Sequence, residues 1–194
     1  ILGKTKIAEN GDFSMTILPP TNIAPINSDN FAAGVVISDK KAEIGDNIIL
    51  AGMKEGKVKG YIQKSDTAIF ILLTDSTAYE GYSSLMYSDR DFTITGVENL
   101  QELVMGDSAI FTYNFEIKYD LTFKKGWNEI IYQAGYTMTK GNKINVKIDY
   151  NNTVPANFKW RYTPESSPLT QQVIKAGNQN IIRKDILQKA HRLK

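Results

Sequence analysis

From Tyr113 to Phe123 the chain reads YNFEIKYDLTF, with Tyr113, Phe115, Ile117, Tyr119, Leu121 and Phe123 alternating with Asn114, Glu116, Lys118, Asp120 and Thr122. A period of two held over that length puts every apolar side chain on one face of an extended strand. KINVKIDY, residues 143 to 150, repeats the pattern with Ile144, Val146 and Ile148 against Asn145, Lys147 and Asp149. Each such strand has one wet face, which predicts antiparallel sheets. Short runs rich in Tyr, Phe, Thr, Ile and Val, broken by Gly, Asn, Asp and Pro, predict further strands at 4–8, 12–18, 57–65, 69–74, 82–88, 91–97, 128–139 and 157–162, with 34–50 less regular. LPPTNIAPINSDN, residues 18 to 30, holds three of the six prolines and reads as a long crossing loop. The expected fold is all-β over residues 1–165: an antiparallel β-sandwich, with a β-barrel as the alternative.

The pattern changes after Ser167. Ser167 followed by Pro168 is a helix entry, a side-chain cap and then proline at the first helical position, and Gly177 closes the run PLTQQVIKA. Farther on, Ile182, Ile186, Ala190 and Leu193 fall within one arc of a helical wheel, with basic groups around the rest. Residues 166–194 are therefore expected to form a short, basic, helical C-terminal segment. Its apolar arc would pack on the domain or on a neighbouring copy; membrane-surface or nucleic-acid contact are the alternatives.

Two tight corners raise the question of chemistry. In LMYSDRDFTITG, residues 85 to 96, Asp89 and Asp91 flank Arg90 and suit a metal ligand pair, an acid/base pair or the corner of a hairpin. A hairpin centred on Asp89 and Arg90 would set Tyr87 opposite Phe92 and Leu85 opposite Ile94, apolar against apolar. The longer ligand run of a calcium loop is absent, so the hairpin is predicted. Likewise FKKGWNEIIYQ, residues 123 to 133, predicts a hairpin pairing Phe123 with Asn128, Leu121 with Ile130 and Tyr119 with Tyr132. Trp127 then caps the sheet end rather than offering a sugar platform.

Composition narrows the function classes. The chain has no cysteine and a single histidine, His191, so thiol chemistry, zinc-cysteine sites and multi-histidine centres are excluded. Phosphate loops, a nucleophile elbow and a dinucleotide fingerprint are missing, and no catalytic residue, metal site or cofactor is assigned. No apolar run is long enough to span a membrane as a helix. The net charge of +2 is too small to argue for nucleic acid, but it is unevenly spread. Residues 175 to 194 hold six basic groups and one acid, Asp185, leaving a mildly acidic body. The loop DSTAYEGY, residues 75 to 82, presents Tyr79 as the candidate ligand-binding residue, since aromatics at loop tips meet ligands; a tyrosine folded back on the sheet is the plainer reading. Phe158, Trp160 and Tyr162 in FKWRYT read as core. The opening ILGKTKIAENGDF, with neither initiator methionine nor signal peptide, reads as a processed or trimmed start.

The succession ENGDFSMTILP, YSDRDFTITG, LTFKKGWNEIIY and VPANFKWRYT, spanning residues 9 to 162, resembles a group of uncharacterised secreted proteins and lipoproteins of Bacteroides-type bacteria. That resemblance implies a β-sandwich or barrel module, periplasmic or attached to the outer membrane at the cell surface, and transfers no functional residues. The leading expectation is a non-enzymatic, exported binding or surface-structural module recognising a glycan or a surface protein. The alternatives are a carboxylate-dependent carbohydrate hydrolase and a carrier of a small apolar ligand.

Overall fold

The computed structural model describes residues 3–45, 48, 50–74, 77–105, 110–139 and 142–164, with 67–74 described by backbone alone. Eleven strands follow one another: β1 (Ile23–Pro25), β2 (Val35–Ile37), β3 (Glu43–Gly45), β4 (Leu50–Lys54), β5 (Lys57–Thr74), β6 (Thr77–Ser88), β7 (Phe92–Met105), β8 (Ile110–Phe123), β9 (Gly126–Thr139), β10 (Lys143–Asn151) and β11 (Lys159–Pro164). A single 3-10 turn, Ser28–Asn30, is the one helical element among the described residues, and no described helix is long and apolar enough to cross a membrane. The all-β class is as the alternation predicts. The predicted C-terminal helical segment lies outside the described residues, and the stretches 4–8 and 12–18 are irregular rather than strands.

All eleven strands belong to one sheet, whose main path runs β1-β3-β6-β9-β10-β8-β7-β2, with β5 joining β6 and carrying β4 and β11. This order overturns both predicted hairpins. β6 pairs with β9, and β7 with β8 and β2, so Tyr87 faces Trp127 and Leu85 faces Glu129, while Phe92 faces Phe123 and Ile94 faces Leu121. β8 and β9 do not pair either, because β10 lies between them, antiparallel to β9 and parallel to β8. The antiparallel expectation thus fails at β8 and β10, since a strand that follows β9 and fills the gap beside β8 must run in the direction of β8.

The connections dictate the shape. In a flat sheet β6 and β7 would lie about 19 Å apart, four spacings of about 4.8 Å, yet the four steps from Ser88 to Phe92 reach at most about 14 Å when fully extended. The sheet therefore curls into a half-barrel in which β6 and β7 face each other. It is one curled sheet whose interior has the sandwich- or barrel-like character expected from the sequence.

Strand register fills that interior in layers. Nearest the corners lie Met86, Phe92, Ile94, Leu121, Phe123 and Ile130, all buried, with the Phe92 and Phe123 rings stacked at 4.4 Å. Burying each such side chain contributes roughly 1.5–3 kcal/mol. The next level sets Tyr82, Tyr132, Tyr150 and Tyr119 side by side on β6, β9, β10 and β8, ending at Gly96 on β7. Gly96 has φ +131° and meets the Gly34 carbonyl so closely that a Cβ would collide, so only glycine lets β2 approach β7 here. Where β10 ends, Asn152 spans the gap, accepting the Thr122 N–H at 2.6 Å and donating to the Glu129 carbonyl at 3.0 Å.

Candidate functional site

Three places carry polar or aromatic groups that could act on a partner: the Asp-Arg-Asp corner, the acids of the concave face, and the aromatics of the β11 arm. At the corner, Asp89 accepts the Glu43 N–H at 2.8 Å and the Arg90 Nη2 at 2.7 Å. Asp91 turns away, to Lys124 Nζ at 2.9 Å and the Lys125 N–H at 2.8 Å. Hydrogen bonds from Arg90 and from Lys124 hold the two carboxyls below the usual aspartate range. The aspartates thus serve different loops and do not converge on a common point.

On the concave face the level beyond the tyrosines reads Glu80, Ala134, Ile148, Ile117 and Glu98 across β6, β9, β10, β8 and β7. Glu98 is 3% exposed, with Oε1 accepting from Tyr119 Oη at 2.6 Å and Oε2 from the Ala32 N–H at 3.1 Å. Glu80 Oε1 accepts from Tyr132 Oη at 2.7 Å and from Tyr136 Oη. Burial raises the phenols of Tyr119, Tyr132 and Tyr136, keeping them as donors at neutral pH. These acids are spent on holding the interior and, through Ala32, the segment beside β2.

The aromatics on β11 are placed differently. Trp160 and Tyr162 are each 53% exposed, which corrects their reading as core; of the three aromatics in FKWRYT only Phe158 is buried. The correction follows from register. On β5 the odd positions Tyr61 and Ser65 turn inward, toward the core and Tyr82, so the even positions Ile62 and Lys64, opposite Tyr162 and Trp160, turn outward. Tyr162 lies over two glycines: a Cβ on Gly60 would sit 2.6 Å from Tyr162 Cζ, and one on Gly52 3.1 Å from Cε2. Its hydroxyl donates to the Lys59 carbonyl at 2.7 Å. The ring lies against a shelf of bare backbone and is still half-exposed, a pairing that also shields the glycines. Beside Trp160, Lys64 bridges to Glu129 at 3.1 Å, leaving a charged rim next to the open ring.

Tyr79, the residue singled out from the sequence, sits within β6 and not at a loop tip. It is half-buried on the outer face and its hydroxyl accepts from Gln133 Nε2 at 2.7 Å. Tyr79 and Phe158 meet over Gly81, where an added Cβ would lie 2.6 Å from Tyr79 Oη and 3.1 Å from Phe158 Cζ. Tyr79, Phe158, Trp160 and Tyr162 therefore follow one another toward the arm. Trp127 packs as a cap: its ring meets Tyr87 edge-on at 5.4 Å and its Nε1 donates to the Ile17 carbonyl at 3.2 Å. The sequence did hold a signal for the platform. Trp160 lies opposite Lys64, and Tyr162, opposite Ile62, has Gly52 and Gly60 beneath its ring. Comparison with family models, with curated proteins and with solved structures gives no match.

Proposed function

We propose that this chain is a non-enzymatic binding module, exported to the periplasm or cell surface, whose exposed aromatic platform takes a glycan. The observation that carries the reading is the placement of Tyr162 against Gly52 and Gly60, half-exposed, beside the half-exposed Trp160. A sugar ring has an apolar C–H side and a rim of hydroxyls. The first suits the open face of an aromatic ring, and the second suits the Lys64–Glu129 pair. Tyr79 and Phe158 extend the aromatic line on the body of the sheet, with Tyr79 as the contact at its inner end. The engagement of Glu80 and Glu98 in hydrogen bonds to tyrosines favours binding over hydrolysis as the role of this domain.

The test is a glycan array probed with the purified chain and with a Trp160→Ala/Tyr162→Ala variant. Both side chains are half in solvent, so the variant should still fold and melt cooperatively, giving up the Tyr162–Lys59 hydrogen bond, while the glycan signal falls about tenfold or more. An undiminished signal sinks the platform.

A further inference from the structure

The arm formed by β4, residues 57–64 of β5 and β11 is charged in a way the rest of the sheet is not. With its connecting turn it contains Lys54, Lys57, Lys59, Lys64, Lys159 and Arg161 against one acid, Glu55. On the body of the sheet four cations are paired with acids: Lys147 with Glu116 at 3.3 Å, Lys118 with Asp149 at 3.8 Å, Lys124 with Asp91 at 2.9 Å, and Arg90 with Asp89 at 2.7 Å and Asp39 at 3.5 Å. On the arm only Lys64 has an ion-pair partner among the described residues. Lys54, Lys57, Lys59 and Lys159 are exposed and Arg161 half-buried, and none of them forms an ion pair among the described residues.

Proximity links this charge to the platform. Three strands are about 10 Å across, comparable to the Debye length of about 8–10 Å at physiological ionic strength. Lysines on either face and at the turn therefore act together on whatever lies along Trp160 and Tyr162. A neutral sugar chain would leave that positive charge unanswered. Glu129 at the rim accepts hydroxyl donors, which a polysaccharide offers along its whole length and the phosphodiester backbone of DNA does not.

We infer that the ligand of the Trp160–Tyr162 platform is an anionic polysaccharide, a sugar chain bearing carboxylate or sulfate groups that the unpaired arm lysines meet while the aromatic rings hold its C–H faces. This rests on the platform reading above. It is tested by titrating the full chain with polygalacturonate, heparin, uncharged dextran and a single-stranded oligo-dT, and by repeating each titration with Lys57→Gln/Lys59→Gln and with Trp160→Ala/Tyr162→Ala. All four substituted side chains are exposed, so a retained cooperative melt above the titration temperature is the control for folding. The basic residues at 175–194 are common to every variant, so differences between variants report on the arm.

The expected result is saturable binding of polygalacturonate or heparin and none of dextran. Affinity should weaken about tenfold between about 50 and 500 mM salt, and both double variants should lose about tenfold or more. Dextran bound as well as the acidic polymers, or no effect of the lysine variant while the aromatic variant loses binding, overturns the anionic inference and leaves the platform standing. Loss in the lysine variant with none in the aromatic variant overturns the platform reading, and this inference with it. Oligo-dT bound more tightly than either polysaccharide overturns the choice of a glycan.

Discussion

The Asp91 carboxylate accepts the Lys125 backbone N–H at 2.8 Å, fastening the β6–β7 connection to the β8–β9 connection across the end of the curled sheet. Neither connection closes a hairpin; both carry the chain past intervening strands, and the aspartate holds them together. Asp89 completes the clasp by exchanging hydrogen bonds with Glu43, donating its N–H to the Glu43 carbonyl at 3.0 Å.

Because Asp89 and Asp91 are held below their ordinary value of 3.8, the folded state favours their ionised form. Their contribution is present above that value and is lost as pH falls through the lowered folded values. Acid unfolding followed by circular dichroism should show the Asp89→Asn/Asp91→Asn variant less stable than wild type at neutral pH, the difference shrinking below about pH 4. Glycan binding by the same variant should be intact at neutral pH; its loss without unfolding would return the corner to the list of candidate sites.

The buried tyrosines act on the other side of neutrality. Tyr119, Tyr132 and Tyr136 are raised above their ordinary 10.0, chiefly by burial, so the unfolded chain releases these protons first. Their contribution is full below pH 10 and decays above it, at about 1.4 kcal/mol per pH unit for each phenol that stays protonated in the fold. Urea melts between about pH 9 and pH 11 should therefore show a steep decline. Tyr132→Phe should be less stable than wild type at neutral pH and lose less on going alkaline.

Gly60 supports the Tyr162 ring directly. Gly60→Ala would drive a methyl into that ring and into the Thr163 carbonyl, so the strand pair must shift, at a cost of about 1–3 kcal/mol. Denaturant melts should record that loss, and glycan affinity should fall with it because the platform tilts. Retained affinity in a destabilised Gly60→Ala protein would mean that the seat of Tyr162 on the glycines is not what the ligand reads.

Tyr79 separates the inner end of the aromatic line from the arm. Tyr79→Phe keeps the ring and gives up only the bond from Gln133, and should preserve the glycan signal. Tyr79→Ala should weaken it without abolishing it, the main contacts lying at Trp160 and Tyr162. A glycan array with both variants decides the matter: a signal unchanged in Tyr79→Ala removes this residue from the site.

Alternation made the strands legible. The inward row of β8, Tyr113 to Phe123, and that of β10, Ile144 to Tyr150, stand where a period of two puts them. Pairing was not legible, because apolar positions facing one core match many partners equally well. Tyr87 against Phe92 and Phe123 against Asn128 satisfied the local pattern, yet the sheet chose Trp127 for Tyr87 and Phe92 for Phe123. What decided between them was β10, a strand that follows both corners in the chain and so lies beyond any local comparison.

The candidate site was concealed by a related ambiguity. Trp160 and Tyr162 have the composition of core residues, and what marks the face as open is Lys64 opposite Trp160 and the Gly52–Gly60 shelf beneath Tyr162, with Ile62 opposite it giving no such sign. Beside Glu80 and Gly81, Tyr79 reads as an aromatic at a loop tip, but those positions continue a strand, with Glu80 turned inward to two tyrosine hydroxyls.

The place of β10 between β8 and β9 also sets an order of events during synthesis. When Thr139 leaves the ribosome, β8 and β9 are both complete and adjacent in the chain, free to close on each other in the very hairpin that the native sheet excludes. Only when Asn151 has emerged does the strand exist that must part them, and the half-barrel can close no earlier than that.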